Sequence, residues 1–446
     1  MLDFAIFAVT FFMMLVGAVI YLMPSSRKAT SVPGLDPTTK EDGNLSDIGR
    51  AGSLHEFLLD LHGRFGDIAS FWMGRQLVIS IASPELFKQH QNNLKHVVTQ
   101  SSTLCYTVFM FIGNINTICI QVADNLVKTL ENKVKEEHLS LNQYMIAYAF
   151  KTVMNSLYGD AMDDEKDIIA MRGHYDIMWS EMEKRIADPT VPEDGSPRAI
   201  SLNLALKEMR KIVQNIIDFR KKNGKKSEDY LLIDRIVEHM KTEDGIFSEI
   251  LTFLIGGFHT AGNLLTWAVY FLATHEEVEK KLLKEIKNVL GDDDISADNY
   301  DQLKYTKQII DETMRCAVVA PWAARYQDFD SELGGHKIPK KTPVIHALGV
   351  SLQDERQWPQ PKIFDPERFN EENIKKRPHL AFSPFGFAGR RVCPGRKFAY
   401  LESAICLVSL FRRFKFHLVE GQVVQPVFGL VTHSEDDIWV TVSKRK

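Results

Sequence analysis

Apolar residues recur every three or four positions along much of this chain, which is the spacing of helices that bury one face. The clearest stripe predicts one long helix through the middle of the chain. Its members are Phe247, Ile250, Leu251, Leu254, Phe258, Ala261, Leu265, Ala268 and Leu272. Two adjacent glycines, Gly256 and Gly257, interrupt it, and each costs a helix roughly 1 kcal/mol relative to alanine. We therefore expect something to pass close to the backbone there.

The same reading divides the rest of the chain. Helical spacing runs from about Asp124 to Thr274, with breaks at 160–167 and 188–197, and again over Glu276–Val289; Leu54–Leu61 predicts a short helix. Alternating segments predict strands, and the first two form a hairpin around Gly74. The strand segments are Ile68–Trp72, Gln76–Ile81, Pro343–His346 and Ile438–Val442. The pattern predicts a mainly α domain with a minor β region.

Two other apolar segments have different interpretations. Phe4–Met23 is 20 residues without a charge, close to the ~20 that cross a bilayer, and Arg27 and Lys28 after it place the remainder in the cytosol. A cleaved signal peptide is the alternative. Leu104–Ile120 is broken by glycine and asparagine, so we expect it to be buried or badly formed core.

These segments predict an organisation in three parts. Residues 1–24 form a transmembrane signal anchor, residues 25–45 a linker containing proline and glycine, and residues 46–446 the catalytic domain. The net charge of −4 argues against a nucleic-acid partner, since such domains carry a basic footprint. The five cysteines form no disulfide framework, which agrees with a reducing compartment.

Cys393 carries the clearest chemistry. It is framed by Gly386, Gly389, Gly395 and a pair of arginines. Zinc needs about four protein ligands, and no paired cysteines supply them. A single thiolate suffices where a porphyrin provides the other donors. The alternative is a buried thiol in a glycine-rich turn.

This loop resembles the haem loop of the cytochrome P450 superfamily, which reads Phe-x-x-Gly-x-Arg-x-Cys-x-Gly. Gly389, Arg391, Cys393 and Gly395 match in register, whereas position 386 is glycine between Phe385 and Phe387. The resemblance implies the cytochrome P450 fold and haem b, with Cys393 as the axial iron ligand. It also implies that Phe385 and Gly389 contact the haem and that Arg391 holds a propionate.

Three more segments carry the resemblance. Glu312 and Arg315 stand three apart, and Arg368 follows in Pro366–Phe369; the resemblance implies that the three form a buried network beside the haem. Arg325 matches the second propionate arginine, with an ordinary surface arginine as the alternative.

The segment from Gly256 to Ala261 resembles the family's oxygen-activating helix. Gly257 and Ala261 would contact the haem, and Thr260 matches the threonine that hydrogen-bonds bound dioxygen. His259 stands where the family has an acid. It could relay protons, or it could be a helix-face histidine without that role. For Thr260 the alternative is a hydroxyl bonded to the carbonyl one turn back.

The resemblance implies a haem-thiolate monooxygenase acting on a lipophilic small molecule. Electrons would come from NADPH through the membrane-bound NADPH–cytochrome P450 reductase, with cytochrome b5 as a further candidate donor. The location implied is the endoplasmic reticulum membrane, single-pass, with the catalytic domain in the cytosol and in contact with membrane lipid.

Two further observations bear on this reading. The two ends of the chain look similar to animal family 20, an orphan group. The Trp-x-x-x-Arg helix usual in the family does not occur between residues 70 and 150. A haem-thiolate isomerase or lyase that needs no external electrons, and a non-catalytic haem-binding membrane protein, remain alternatives.

Overall fold

The structure is a computed structural model that describes residues 30–94, 115–134, 138–162, 165–187, 193–223, 231–296, 299–387 and 392–445. The predicted anchor, Phe4–Met23, lies outside these residues, as do Gly389 and Arg391 of the haem loop. Among the described residues, no helix has the length and apolarity needed to cross a bilayer. The three-part organisation stays a prediction.

The predicted class is confirmed, because helices dominate the described chain. The helices are α1 (Leu45–Ala51), α2 (Leu54–Phe65), α3 (Pro84–Leu94), α4 (Ile115–Lys133), α5 (Leu141–Tyr158), α6 (Glu165–Ala187), α7 (Pro197–Asn223), α8 (Leu232–His239), α9 (Glu243–Gly257), α10 (His259–Thr274), α11 (Glu276–Leu290), α12 (Lys304–Ala317), α13 (Leu348–Leu352), α14 (Glu371–Lys376) and α15 (Arg396–Arg413). The strands are β1 (Ile68–Met73), β2 (Gln76–Ile81), β3 (Leu139–Ser140), β4 (Ala323–Arg325), β5 (Ser331–Leu333), β6 (His336–Ile338), β7 (Val344–His346), β8 (Phe414–Leu418), β9 (Pro426–Phe428), β10 (Thr432–Ser434) and β11 (Trp439–Lys444).

The strands form small sheets at the edge of the helical body. The largest has the order β1-β2-β7-β4. Its first two strands are the predicted hairpin, with Met73 opposite Gln76 and Gly74 in the left-handed region at φ +57°, where glycine is favoured. Strand β7 runs parallel to β2 and antiparallel to β4. A second sheet has the order β3-β11-β8.

The main core lies where α10 passes α5. A methyl group at Gly262 would stand 2.6 Å from Ile146 Cδ1, and one at Gly257 would stand 3.0 Å from Val153 Cγ2. Helix α5 is thus the element that passes close to the glycine-containing helix. The described part of the segment Leu104–Ile120 begins α4, where Ile115 and Cys119 are buried, in agreement with the expectation of core.

The predicted long helix is two helices. Helix α9 ends at Gly257 and α10 begins at His259, with Phe258 between them at φ −117° and ψ −35°. The break therefore falls one residue after the second glycine. This break decides which side chains of α10 face the functional site.

Candidate functional site

A largely apolar cavity of about 390 Å³ lies between the Cys393 loop and the break between α9 and α10. Its walls come from α9 and α10, the end of α12 and the residues that follow it, strand β4, the start of α13, and the loop that leads into α15 with the first turn of that helix. The lining residues are Thr252, Phe253, Gly256, Gly257, Thr260, Ala261, Leu264, Met314, Val319, Ala320, Trp322, Ala323, Arg325, Leu348, Pro384, Phe385, Gly386, Cys393, Pro394, Gly395, Phe398 and Ala399. The sequence-predicted residues Cys393, Phe385, Arg325, Gly257, Thr260 and Ala261 all belong to this set.

Cys393 occupies one wall at the start of α15. Its backbone N–H donates to the Phe385 carbonyl at 2.9 Å, which closes the loop and fixes the sulfur relative to Phe385. Burial raises the pKa of the thiol, and the backbone N–H of Gly395 that donates to the sulfur lowers it in part. The amide donor at the N-terminus of α15 thus favours the thiolate state and acts against the effect of burial.

Thr260 and the glycines form the opposite wall. The Thr260 hydroxyl donates to the Gly256 carbonyl at 3.1 Å, so the bond to the preceding turn exists while the side chain also lines the cavity. A methyl group at Gly256 would have nothing within 4 Å, so this glycine opens directly onto the cavity. The two glycines therefore differ: Gly256 leaves space, and Gly257 admits Val153.

His259 is not among the residues that line the cavity. Its ring stacks on Trp179 of α6, with centroids 4.2 Å apart and planes at 17°, and lies 5.5 Å from the Tyr175 ring. Burial lowers its pKa to about 3, with the charge of Arg172 and His433 contributing. The imidazole is thus neutral near pH 7, and its Nε2 has no partner among the described residues.

Glu312, Arg315 and Arg368 are brought together beside the cavity. Arg315 Nε and Nη2 donate to the two Glu312 carboxylate oxygens at 2.7 and 2.8 Å, and Arg368 Nε lies 3.4 Å from Glu312 Oε1. The Asp365 N–H donates to the same carboxylate at 2.9 Å. The network ties α12 to the segment that precedes the Cys393 loop.

Arg325 extends from β4 toward the haem loop. Its Nη1 donates to the Ala324 carbonyl at 2.8 Å, and its Nη2 lies 3.7 Å from the point where a Cβ of Gly386 would stand. Gly386 itself has φ +75°, a conformation that phenylalanine rarely adopts. The glycine in place of the family phenylalanine is therefore matched to this backbone.

Several lining residues were not identified from the sequence. Phe253 and Leu264 belong to the series Phe253, Gly256, Thr260 and Leu264, whose steps of three and four are readable in the chain. Phe258, which belongs to the predicted apolar stripe, does not line the cavity. Its ring packs on Phe150 and Tyr175, at 4.9 and 4.7 Å between centroids.

The residues present fit a haem. A thiol faces an apolar space, Gly256 removes side-chain bulk on the far side, and Gly395 does so beside the sulfur, where its Cβ would lie 3.8 Å from Sγ. An arginine at the rim of the cavity offers a charge to a propionate.

The comparisons with known proteins agree with this geometry. A family model described as cytochrome P450 matches residues 91–439. The chain belongs to the cytochrome P450 family. Across their full lengths, this cytochrome P450 is 37% identical to "Cytochrome P450 20A1" of Bos taurus and 35% identical to that of Homo sapiens, each over 469 aligned positions. The predicted resemblance to animal family 20 is thereby confirmed.

A third relative differs in its organisation. "Bifunctional cytochrome P450/NADPH--P450 reductase 2" of Bacillus subtilis (strain 168) is 33% identical over 246 residues, which cover 53% of this cytochrome P450 and 23% of the relative. Membership of the family implies a haem cofactor and, in general, haem-thiolate monooxygenase chemistry.

Proposed function

We propose that this cytochrome P450 oxidises a lipophilic small molecule with dioxygen and with electrons from NADPH delivered by a separate reductase. The observation that carries the proposal is the opposition of the Cys393 thiol and the Thr260 hydroxyl across one apolar cavity. The Cys393 sulfur on one wall would hold a haem. The Thr260 hydroxyl and the apolar walls would then face the substrate.

One set of cavity residues would bind the haem, and Thr260 would handle a proton. Cys393 would bind the iron as a thiolate, Arg325 and Arg391 would neutralise the propionates, and Phe385 with Gly257 and Ala261 would contact the ring. Bound haem would supply the iron that activates dioxygen. Thr260 holds its hydroxyl proton toward the Gly256 carbonyl and can turn it toward the cavity.

The apolar walls determine the class of substrate. Phe253, Leu264, Val319, Trp322 and Leu348 offer almost no hydrogen-bonding groups to a ligand. Pockets of this kind bind by removing apolar surface from water and select with few polar contacts. The substrate is therefore a lipophilic molecule, and the walls exclude water from the reacting atoms.

Family membership and the N-terminal sequence support a proposal for the electron donor and the location. The Bacillus subtilis relative carries a reductase in its name, which supports an NADPH–cytochrome P450 reductase as the donor, with cytochrome b5 as a second donor. The uncharged segment Phe4–Met23 supports a single-pass location in the endoplasmic reticulum membrane.

A second candidate function is a haem-thiolate isomerase or lyase that rearranges a peroxide without external electrons. The observation that favours it is His259, since the position of the family acid holds a buried neutral ring stacked on Trp179. Proton delivery from that position is not needed by an enzyme that does not reduce dioxygen.

One experiment separates the two functions. The full-length chain is reconstituted with the reductase, NADPH and a panel of lipophilic compounds, and with a lipid hydroperoxide in a parallel assay without NADPH. We expect oxygenated product that requires both NADPH and reductase and is absent with Cys393→Ala. Hydroperoxide rearrangement without NADPH would support the isomerase instead, and no turnover in either assay would contradict both.

A further inference from the structure

Two histidines far apart in the chain form a buried hydrogen-bonded pair behind the haem loop. His90 Nδ1 lies 2.8 Å from His346 Nε2, and His90 Nε2 lies 3.3 Å from Gln327 Oε1. Both histidines are 0% exposed. The pair joins α3 to β7, and through Gln327 to the chain that leaves β4.

The surrounding bonds assign the protons of the pair. Gln327 Nε2 donates to Ser331 Oγ at 2.6 Å and to the Phe329 carbonyl at 3.3 Å, so its Oε1 is the acceptor and His90 Nε2 the donor. Burial lowers the pKa of His90 to about 4, so its other nitrogen, Nδ1, is an acceptor near pH 7. His346 Nε2 therefore donates to His90. The hydrogen bond between the two histidines therefore has His346 Nε2 as its donor and His90 Nδ1 as its acceptor.

The histidine pair contacts Phe387 of the haem loop. The Phe387 ring stacks on His346, with centroids 4.4 Å apart at 27°, and on Phe87 of α3, at 4.8 Å and 28°. Gln91, also on α3, donates to the Phe387 carbonyl. Phe387 is thus held by stacked rings and a backbone bond, six residues before Cys393.

The pair also lies beside the arginine at the rim of the cavity. In the antiparallel pairing of β4 with β7, Ala323 stands opposite His346 and Arg325 opposite Val344. Residues directly opposite in such a pair have side chains on the same face of the sheet. His346 and Arg325 therefore project from one face, toward α3 and the haem loop.

We propose that the His90–His346 pair positions Phe387 and Arg325, and that it thereby determines how firmly this cytochrome P450 holds its haem. The sequence has no Trp-x-x-x-Arg motif between residues 70 and 150, and the supports that the structure does describe around the haem loop are Phe87, Gln91 and this histidine pair. The inference rests on the proposed haem binding and adds two positioning residues to it.

The test compares haem retention in variants of the full-length, haem-loaded chain. His346→Leu removes the bond to His90, whereas His346→Gln keeps an amide N–H that can donate to it. The matched control is His62→Leu, because His62 is also buried and bonded, to Ser80 Oγ at 2.8 Å and to the Gly66 carbonyl at 2.7 Å, but these bonds join α2 to β2 rather than to the haem loop. The readouts are the rate of haem transfer to excess apomyoglobin and the position of the reduced CO band.

We expect His346→Leu to release haem roughly tenfold faster than wild type, since breaking a buried hydrogen bond leaves its partner unpaired. His346→Gln should fall between the two, and His62→Leu should match wild type. If His346→Leu does not fold, His90→Leu serves the same comparison, because it breaks the bond and keeps the stack on Phe387.

Equal release from the histidine-pair variants and the control, with the wild-type CO band in all of them, would overturn the inference alone. A wild-type chain that takes up no haem would overturn the proposed function, and this inference with it.

Discussion

The Arg315 guanidinium and the Glu312 carboxylate form a two-bond ion pair whose side chains are both 0% exposed. Carbonyl oxygens satisfy the remaining guanidinium hydrogens, among them Pro361 at 2.7 Å and Leu352 at 3.3 Å. The pair therefore connects α12 to the end of α13 and to the loop that contains Pro361. A buried charge tolerates this position only while its partners stay in place.

Removing Arg315 should destabilise the folded protein strongly. We expect Arg315→Ala to lower the free energy of unfolding by about 3–5 kcal/mol, because the buried Glu312 loses its two-bond partner and keeps only the longer contact with Arg368, at 3.4 Å. Arg64→Ala is the matched control, since its pair with Asp60 is 54% and 64% exposed and such pairs contribute at most about 1 kcal/mol. Urea unfolding measures both, and equal losses would show that Arg315 is not held as described.

The three glycines of the α9–α10 region should respond differently to alanine. At Gly262 a methyl group would stand 2.9 Å from the Ile146 Cα, so Gly262→Ala should cost about 1–3 kcal/mol through displaced backbone. Gly256→Ala meets no atom within 4 Å and should stabilise the helix by up to about 1 kcal/mol. Thermal unfolding ranks the variants, with Gly257→Ala between them; the opposite order would contradict the packing of α5.

Stability should fall as the pH falls below 6.5. Burial lowers the pKa of His259 from 6.5 to about 3 and that of His55 to about 4. Between these values the unfolded chain binds a proton that the folded chain does not, so each such group costs roughly 1.4 kcal/mol per pH unit. The stability that these two neutral histidines preserve is fully present above pH 6.5 and is lost as the pH falls toward their folded pKa values.

The variant His259→Phe isolates one of these groups. It keeps an aromatic ring against Trp179 and removes the titration, so its free energy of unfolding should decline less steeply than that of wild type between pH 6.5 and 4. Urea unfolding at several pH values provides the comparison. Parallel curves would mean that His259 is already protonated in the folded chain.

A comparison of the single variants His259→Phe and Thr260→Val tests which residue delivers protons. Thr260 lines the cavity and His259 does not, so we expect Thr260→Val to lower product formed per NADPH by about a hundredfold. His259→Phe should leave that ratio within about twofold of wild type on the same scale. A collapse of the ratio in His259→Phe with intact stability would instead support the relay.

Local patterns predicted the elements that depend on local interactions. The hairpin around Gly74 and the helix at Leu54 follow from spacing alone, because alternation and helical periodicity are properties of neighbouring residues. The haem-loop motif likewise identified Cys393, which lines the cavity. The order of the motifs along the chain then indicated the family.

The remainder depends on contacts between distant residues. The break at Phe258 divides the predicted long helix, and the spacing along the chain does not show that the His259 ring lies against Trp179 of α6. The contact of His90 with His346 joins residues 256 positions apart, and no local pattern encodes it. Phe387 follows the glycine that replaces the family phenylalanine, and its two stacking partners, Phe87 and His346, lie far from it in the chain.

The reduced, CO-bound absorption spectrum of the full-length chain tests the central claim most directly, because it reports the iron ligand itself. We predict a band at about 450 nm, the position that gives the family its name, and its loss in Cys393→Ala. The control Cys316→Ala, which changes a cysteine that does not line the cavity, should keep the band. A chain without this band, or a Cys393→Ala variant that retains it, would contradict thiolate ligation by Cys393.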